Sequence, residues 1–463
     1  MNINFVRDEV SHQLRVWELI RRATEAEDVE QYLRPIRKPD GSVDEKRNDD
    51  YRKSAVYYNV AGSTVRGLLG SIFSKEPSLN LPPRLEAMGV NVDGRGNSFE
   101  QQAHEVCGSV LRFGRAGLWV DFPVTDGDVS LADLGRFSPT IHSYGPQAIV
   151  NWRTRREGSE SVLSLVVLSE VETVENDYAL EEGEILRELA LDEEGYFVRV
   201  WRQDGEEWVP GDQVRPRDGR GRPLTRIPFA FVGSENNDEF IDRPPMLDLC
   251  RINLAHYQNS ADFEDSVYYA GQSQPWMSGA TEEVYDLMRK HDFYIGSRKL
   301  MPVPSGETFG FANPEPNPLV RQAMTDKMSL MVGLGARFVQ SAGAGKTDFE
   351  ARSDAQAQNS VLATIASNVS AAYTKALEWA ALFASETGEA EFELRRDFAD
   401  FGATPAFLAA WFKGYLDGAV PFSDYVRWLK SQNLVDPSKP DEVVRQELDD
   451  EALFGPGGSS NPP

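Results

Sequence analysis

PPMLDLCRINLAHYQNSADFEDSVYYAGQSQPWMSG, residues 244–279, carries the first decision about the fold. Its opening reads as helix. Asp242 lies near the cap, Pro244 and Pro245 fall in the first turn, where a missing N–H costs nothing, and Gly271 stops the run. Between them Leu247, Cys250, Leu254, Tyr257 and Ala261 form one apolar stripe at helical spacing. A helix of about 26 residues is roughly 39 Å long. GQSQPWMSG then reads as a strand and turn, TEEVYDLMRKH (281–291) as a short helix, and FYIGSRKLMPVPSGETFGF as strands. The short helix has acids in its first turn and Arg289, Lys290 and His291 in its last, which suits the helix dipole. A second long helix opens at Asn317-Pro318 and carries Val320, Met324, Met328, Met331 and Phe338, a stripe whose methionines read as adaptable core packing. The chain leaves a small module by one helix and returns by another, which sets residues 272–316 at an extremity.

Working outward, a third helix is expected over 348–386, with Leu362, Ile365, Val369, Ala372, Ala376, Ala380 and Phe383 in line and Gly388 beyond its end. At about 39 residues it would span roughly 58 Å. In the other direction, helices are expected over 8–34 and 50–74, the latter closed by Pro77. From about residue 98 the text is mixed: a helix in EQQAHEVCGSVLRFG, a buried strand in AGLWVDFPV (116–124), then strands in PTIHSYG, AIVNWRTRR, SVLSLVVLSEV, EILRELAL, YFVRVWRQDGEEWVPG and IPFAFVGS. Turn residues such as Asp204-Gly205 between the strands point to hairpins and an α+β domain. The acidic run around Glu181, Glu182, Glu184, Asp192, Glu193 and Glu194 reads as solvated turns and faces.

The chemistry that the chain excludes is informative. With 463 residues, 41% apolar and 10% aromatic, it can bury several cores. Its 73 acidic against 48 basic residues give a net charge of −25, which repels a polyanion and argues against general nucleic-acid binding. Cys107 and Cys250 lie far apart and fit buried thiols in a reducing compartment. The N-terminus has no apolar targeting segment, and no stretch approaches the roughly 18 apolar residues of a membrane span. SAGAGKTD (341–348) contains Gly345, Lys346 and Thr347 in the order of a phosphate loop. However, the opening glycine of that motif is replaced by Gln340, and MSLMVGLGARFV before it continues a helix where a strand is required. A flexible small-residue connector between two helices is the better reading. His12, His104, His142, His256 and His291 show no metal-ligand spacing. NVDGRGNSFE (91–100) puts Arg95 where a calcium loop needs an oxygen, and reads as a turn ahead of a helix. No G-x-S-x-G occurs, and no carboxylate pair stands out. No catalytic, metal or cofactor site is expected.

Several blocks together resemble portal proteins of tailed bacteriophages: YRKSAVYYNVAGSTVRGLLGSIFSKEP (51–77), LRFGRAGLWVDFP (111–123), YGPQAIVNWR (144–153), the stretch 244–279 quoted above, and the helix over 355–380. The likeness spans most of residues 50–385. It implies a portal-type multidomain subunit, in a closed ring of about twelve copies at one capsid vertex, through which the genome is packaged and ejected. On that resemblance, residues 1–241 with 353–391 would be an α/β wing, 242–270 and 317–339 the stem helices, and 271–316 the clip. The tunnel loop would be 340–352, 392–448 a helical crown, and 449–463 a disordered tail. Ser341, Gly343, Gly345, Lys346 and Thr347 would then face DNA in the channel. Glu282, Arg289 and Lys290 would dock partners at the clip, and Leu247, Leu254, Tyr257, Val320, Met324, Met328 and Met331 would pack the stem. The implied partners are further copies of the chain, double-stranded DNA without sequence specificity, major capsid protein, large terminase and a head–tail connector. The location would be the virion after assembly in the host cytoplasm. The acidity would keep DNA centred in a channel or simply keep the assembly soluble. A different structural adaptor of the virion and a phosphate-loop enzyme are the competing readings.

Overall fold

The computed structural model describes residues 3–122, 138–176, 179–271, 274–279, 281–283, 286, 308–312, 318–338, 360–396, 398 and 426. They form a mixed α and β structure in which every described strand pairing is antiparallel. Contacts divide the chain into two compact units, one of Met1–Arg15, Val65–Pro245 and Gly335–Pro463, the other of Val16–Thr64 and Met246–Leu334. Residues 16–64 thus associate with the helical pair, whereas the sequence reading groups them with the rest of 1–241.

The first unit contains two larger sheets. Strands β2 (Arg115–Asp121), β3 (Thr140–Tyr144) and β9 (Phe229–Gly233) make a three-stranded sheet in the order β3-β2-β9. Strands β4 (Ile149–Glu157), β5 (Glu160–Asn176), β6 (Ala179–Asp192), β7 (Gly195–Asp204) and β8 (Glu207–Val214) form a meander in chain order. The Asp204-Gly205 hairpin is present, with Asp204 opposite Glu207. One face of the smaller sheet, including Leu118, Val120, Ile141 and Val232, is fully buried, and α4 (Phe99–Phe113) and α7 (Val361–Ala384) pack on this sheet. The other face turns Trp119 toward the larger sheet, where its indole N–H donates to the Tyr196 hydroxyl at 2.9 Å. Because both faces are covered, β2 is buried along almost its whole length, which is why it reads as an uninterrupted apolar run. Gly117 lies at the closest approach: a Cβ there would stand 2.4 Å from the Phe229 ring and 2.9 Å from Ile149.

Helix α4 begins with a capping box, Ser98 accepting from Gln101 N–H and Gln101 accepting in turn from Ser98 N–H, and ends at left-handed Gly114. The NVDGRGN turn ahead of it is held by Asp93, whose carboxylate accepts from Arg95 N–H, Asn97 N–H and the Asn97 side chain. Helix α7 buries the expected stripe of Leu362, Ile365, Val369, Ala372, Ala376 and Ala380, while Phe383 is half-buried against Phe122 with ring centroids 5.0 Å apart. The first part of the expected span, 348–359, lies outside the described residues. Ser360 is extended and its hydroxyl accepts from Ala363 N–H at 3.1 Å, so the helix begins at Val361. A polar chain crosses this core, Tyr373 hydroxyl to Gln102 at 3.0 Å and Gln102 to the Ile141 carbonyl at 2.7 Å. After α7, Glu391–Glu393 forms strand β12 and pairs with β1 (Ser78–Asn80), with Phe392 buried against Tyr373 and Phe99. These residues overlap the start of the segment expected as a helical crown, most of which lies outside the described residues, as does the expected tail.

The expected helix over 8–34 stops early. Helix α1 (Asp8–Glu25) ends where Ala26 and Asp28 take positive φ. The expected helix over 50–74 is two helices, α2 (Glu45–Ser54) and α3 (Val60–Ile72), separated because Ala55 is extended and Asn59 caps the second through Gly62 N–H at 2.7 Å. In the second unit, α5 (Leu247–Ala270) has the predicted stripe: Leu247, Cys250, Leu254, Tyr257 and Ala261 are all buried. Asp242 does not cap it. Its carboxylate instead accepts from Glu235 N–H at 2.7 Å, tying the turn after β9. Strands β10 (Gln274–Ser278) and β11 (Thr308–Ala312) make a two-stranded ribbon, and α6 (Pro318–Arg337) follows. The short helix expected between these strands lies mostly outside the described residues.

Candidate assembly surface

Helix α5 is held by residues from 16–64. Arg47 makes a two-pronged ion pair with Asp265, both contacts at 2.8 Å, and the Tyr51 hydroxyl donates to Asp262 at 2.7 Å. The Gln258 amide donates to the Tyr32 carbonyl at 2.8 Å, and Tyr57 meets Tyr257 edge to face at 5.2 Å. Asn253 is fully buried and bridges backbone on both sides, accepting from Ala61 N–H at 2.9 Å and donating to the Tyr58 carbonyl at 2.8 Å. Buried side-chain amides are retained where both ends are bonded, since an unpaired one costs about 1–3 kcal/mol. His256 lies a turn beyond. Burial pulls its titration below the ordinary imidazole value, and the Lys327 charge adds to that.

Helix α6 contrasts with α5. Among its described residues only Met331 is buried; Val320, Met324 and Met328 are half-buried, and Leu330 and Val332 stand 57% and 65% exposed. Met331 is therefore inside the subunit rather than on an open stripe, and the most exposed apolar side chains are ones that the heptad-like stripe passes over. Lys327 ties α6 to α5 through Asn259 at 2.5 Å. On the β10–β11 ribbon, Trp276 and Phe311 are 44% and 48% exposed. A two-stranded ribbon is marginal by itself in water.

Of the residues singled out from the sequence, Leu247, Leu254 and Tyr257 join one buried face, and Glu282 is exposed. Arg289, Lys290, Ser341, Gly343, Gly345, Lys346 and Thr347 lie outside the described residues. Both cysteines are buried thiols, Cys250 pushed up to about 12 by burial. No group of three or more metal-ligating side chains occurs among the described residues, and no described helix is long and apolar enough to cross a membrane.

Sequence reading missed the polar layer between the two sheets of the first unit. Glu170 receives Arg187 in two bonds of 2.7 and 2.9 Å and the Tyr144 hydroxyl at 2.8 Å. Arg187 also lies 5.0 Å from the Trp119 ring centre, and Trp119 stacks on His142 at 5.4 Å. Burial acts to raise the Glu170 carboxyl, but the bonds and charge of Arg187, with Tyr144, outweigh it and hold the group below its ordinary value. Burial raises Asp121 and lowers His142. The layer's geometry is that of a satisfied structural network, with every bond of Glu170 spent on a neighbour. Its signal in the sequence is a charged residue at an inward strand position, Arg187 opposite Leu168.

Residues 245–384 match a family described as "Domain of unknown function (DUF4055)". No curated protein matches the chain. A chain from a structure described as "Neck of empty GTA particle computed with C6 symmetry" is similar at 12% identity and a TM-score of 0.38, over 90% of this chain and 95% of that one. A likeness of that size carries no argument for this fold.

Proposed function

We propose that the chain is a portal-type subunit: a structural protein of a virion, without catalysis or cofactor, that assembles as a closed ring at one capsid vertex. Double-stranded DNA passes through the ring, and major capsid protein, large terminase and a head–tail connector bind around it. The observation that carries the reading is the order helix, ribbon, helix, helix over α5, β10–β11, α6 and α7, joined to an α6 that the described residues leave largely uncovered. A 20-residue helix of whose described side chains only Met331 is buried draws little stability from the described parts of its own chain. Neighbouring copies in a ring supply the missing cover, and closure of the ring leaves no copy with a bare face. The connector over 340–352 is then the tunnel loop, with Lys346 meeting DNA phosphates through weak, salt-screened contacts.

Native mass spectrometry of the purified protein at physiological salt tests this. The expected result is one closed species of about twelve copies. A stable monomer refutes it.

A further inference from the structure

Among the described residues the five-stranded sheet has an open edge at β4, since the order begins with that strand. Its first residues are already engaged. Val150 is bulged out of register with β5, and its carbonyl accepts from Arg7 N–H at 3.1 Å. Two residues on, the Trp152 carbonyl accepts from the Arg7 guanidinium at 2.9 Å. The segment before α1 thus covers the start of this edge through Arg7 and then leaves it, because the chain turns into helix at Asp8. The pairing shifts register again between Arg153 and Thr154, but the extra residue there, Ser164, belongs to β5, so alternation along β4 brings the backbone groups of Thr154 and Arg156 to this same edge, beyond the point where that cover ends.

The side chains there are unusual for an edge in so acidic a protein. Arg153, Arg155 and Arg156 are all exposed. Arg153 has no ion pair among the described residues, Arg155 binds Glu157 of the same strand, and Arg156 reaches only the Gly158 carbonyl. Where the cover stops, a cleft of about 580 Å³ opens between Phe5, Arg7, Asp8 and Glu9 on one side and Asn151, Trp152 and Arg153 on the other. Phe5 is 49% exposed at its rim. Backbone groups without a partner among the described residues, arginines on both faces of the strand and the Phe5 ring at the rim of the cleft fit one kind of occupant: extended backbone for the edge, carboxylates for the arginines and an apolar side chain beside Phe5.

We propose that the free edge of β4, from Arg153 to Glu157, is a strand-addition site for an extended acidic peptide segment of a partner protein. Charge complementarity chooses acidic over basic segments, while arginines on an edge otherwise keep it from pairing with itself. The site does not depend on ring number or on the channel.

The test titrates the full-length assembled protein with a fluorescent ten-residue peptide of alternating Glu and Val, and with its Lys and Val counterpart, by anisotropy. The acidic peptide should bind, more weakly as salt rises, and should protect the amides of Thr154 and Arg156 from hydrogen exchange. Arg153→Ser with Arg156→Ser should weaken it about tenfold, the effect of losing two charge contacts worth together about 1.4 kcal/mol. Thr154→Pro, which removes an edge N–H without touching a charge, should weaken it as well. Absence of binding, equal binding of the basic peptide, or binding indifferent to the arginine pair overturns the proposal.

Discussion

Replacing Arg187 by Met removes the cation from the polar layer while keeping an unbranched side chain beside Trp119. Glu170 would keep only the Tyr144 hydroxyl, having lost two charge-assisted bonds of 2.7 and 2.9 Å. Breaking a buried ion pair from one side costs about 3–5 kcal/mol, and because these side chains retain 21% and 19% exposure the lower figure, about 3 kcal/mol, applies. For a unit of this size that is a fall in Tm of roughly 4–6 °C. The deficit should also depend on pH. In the native protein the Glu170 carboxyl lies below its unfolded value, so its contribution is present above the unfolded value and is lost as pH falls through the folded one. In the variant burial acts almost alone, the folded value moves above the unfolded one, and the charged form becomes a penalty as pH rises through it. The gap between the two proteins should therefore widen from pH 4 to pH 7. Adding Glu170→Gln to Arg187→Met should recover most of the loss, because the amide oxygen still accepts from Tyr144. Urea unfolding followed by tryptophan fluorescence at both pH values is the assay. A deficit below about 1 kcal/mol, or one equal at both pH values, refutes the reasoning.

Asn253→Ala should destabilise the second unit by about 2 kcal/mol, since it strands Ala61 N–H and the Tyr58 carbonyl together; hydrogen exchange at Ala61 reads it directly. Ser360→Ala removes the α7 cap and should cost about 1 kcal/mol in the first unit by urea unfolding, while Ser360→Asp should cost less because it can still cap. Leu330→Glu with Val332→Glu places charges on the two exposed flanks of α6, either side of Met331, and should shift the mass distribution from ring to small species, with the circular dichroism spectrum of the subunit unchanged.

Legibility in the sequence followed the range of the forces involved. Strands β2 to β9, α4 and the stripe of α5 were readable because turn residues and apolar period act over a few positions. Helix ends were less so. Nothing in the period distinguishes Ser360 from another small residue before an apolar run, and Ala26 and Asp28 adopt left-handed backbone without a glycine to announce it. The assignment of 16–64 to the helical pair was hidden altogether, because it rests on pairings such as Arg47 with Asp265 that are far apart in the chain. Polar residues at inward positions, Asn253, His256 and Ser260 on α5, were the one available hint that something polar would cover that helix. Leu330 and Val332 are illegible for the opposite reason, since they lie off the apolar period that marks a buried face.

The late arrival of α7 sets a timetable for biosynthesis. Leu118, Val120, Ile141 and Val232 are made early, and the sheet that carries them is complete once Gly233 has emerged. Of the two helices that pack on this sheet, α4 precedes it, but α7 starts only at Val361, on the order of 130 residues later, which at about 5–20 residues per second is a wait of roughly 7–26 s. Sheet formation needs milliseconds to seconds, so the nascent chain passes most of that wait with a finished sheet whose apolar face α4 covers only in part. Translation speed through residues 234–360 thus becomes a determinant of yield, and a holdase that shields the face during those seconds should rescue subunits that slow codons would otherwise lose to aggregation.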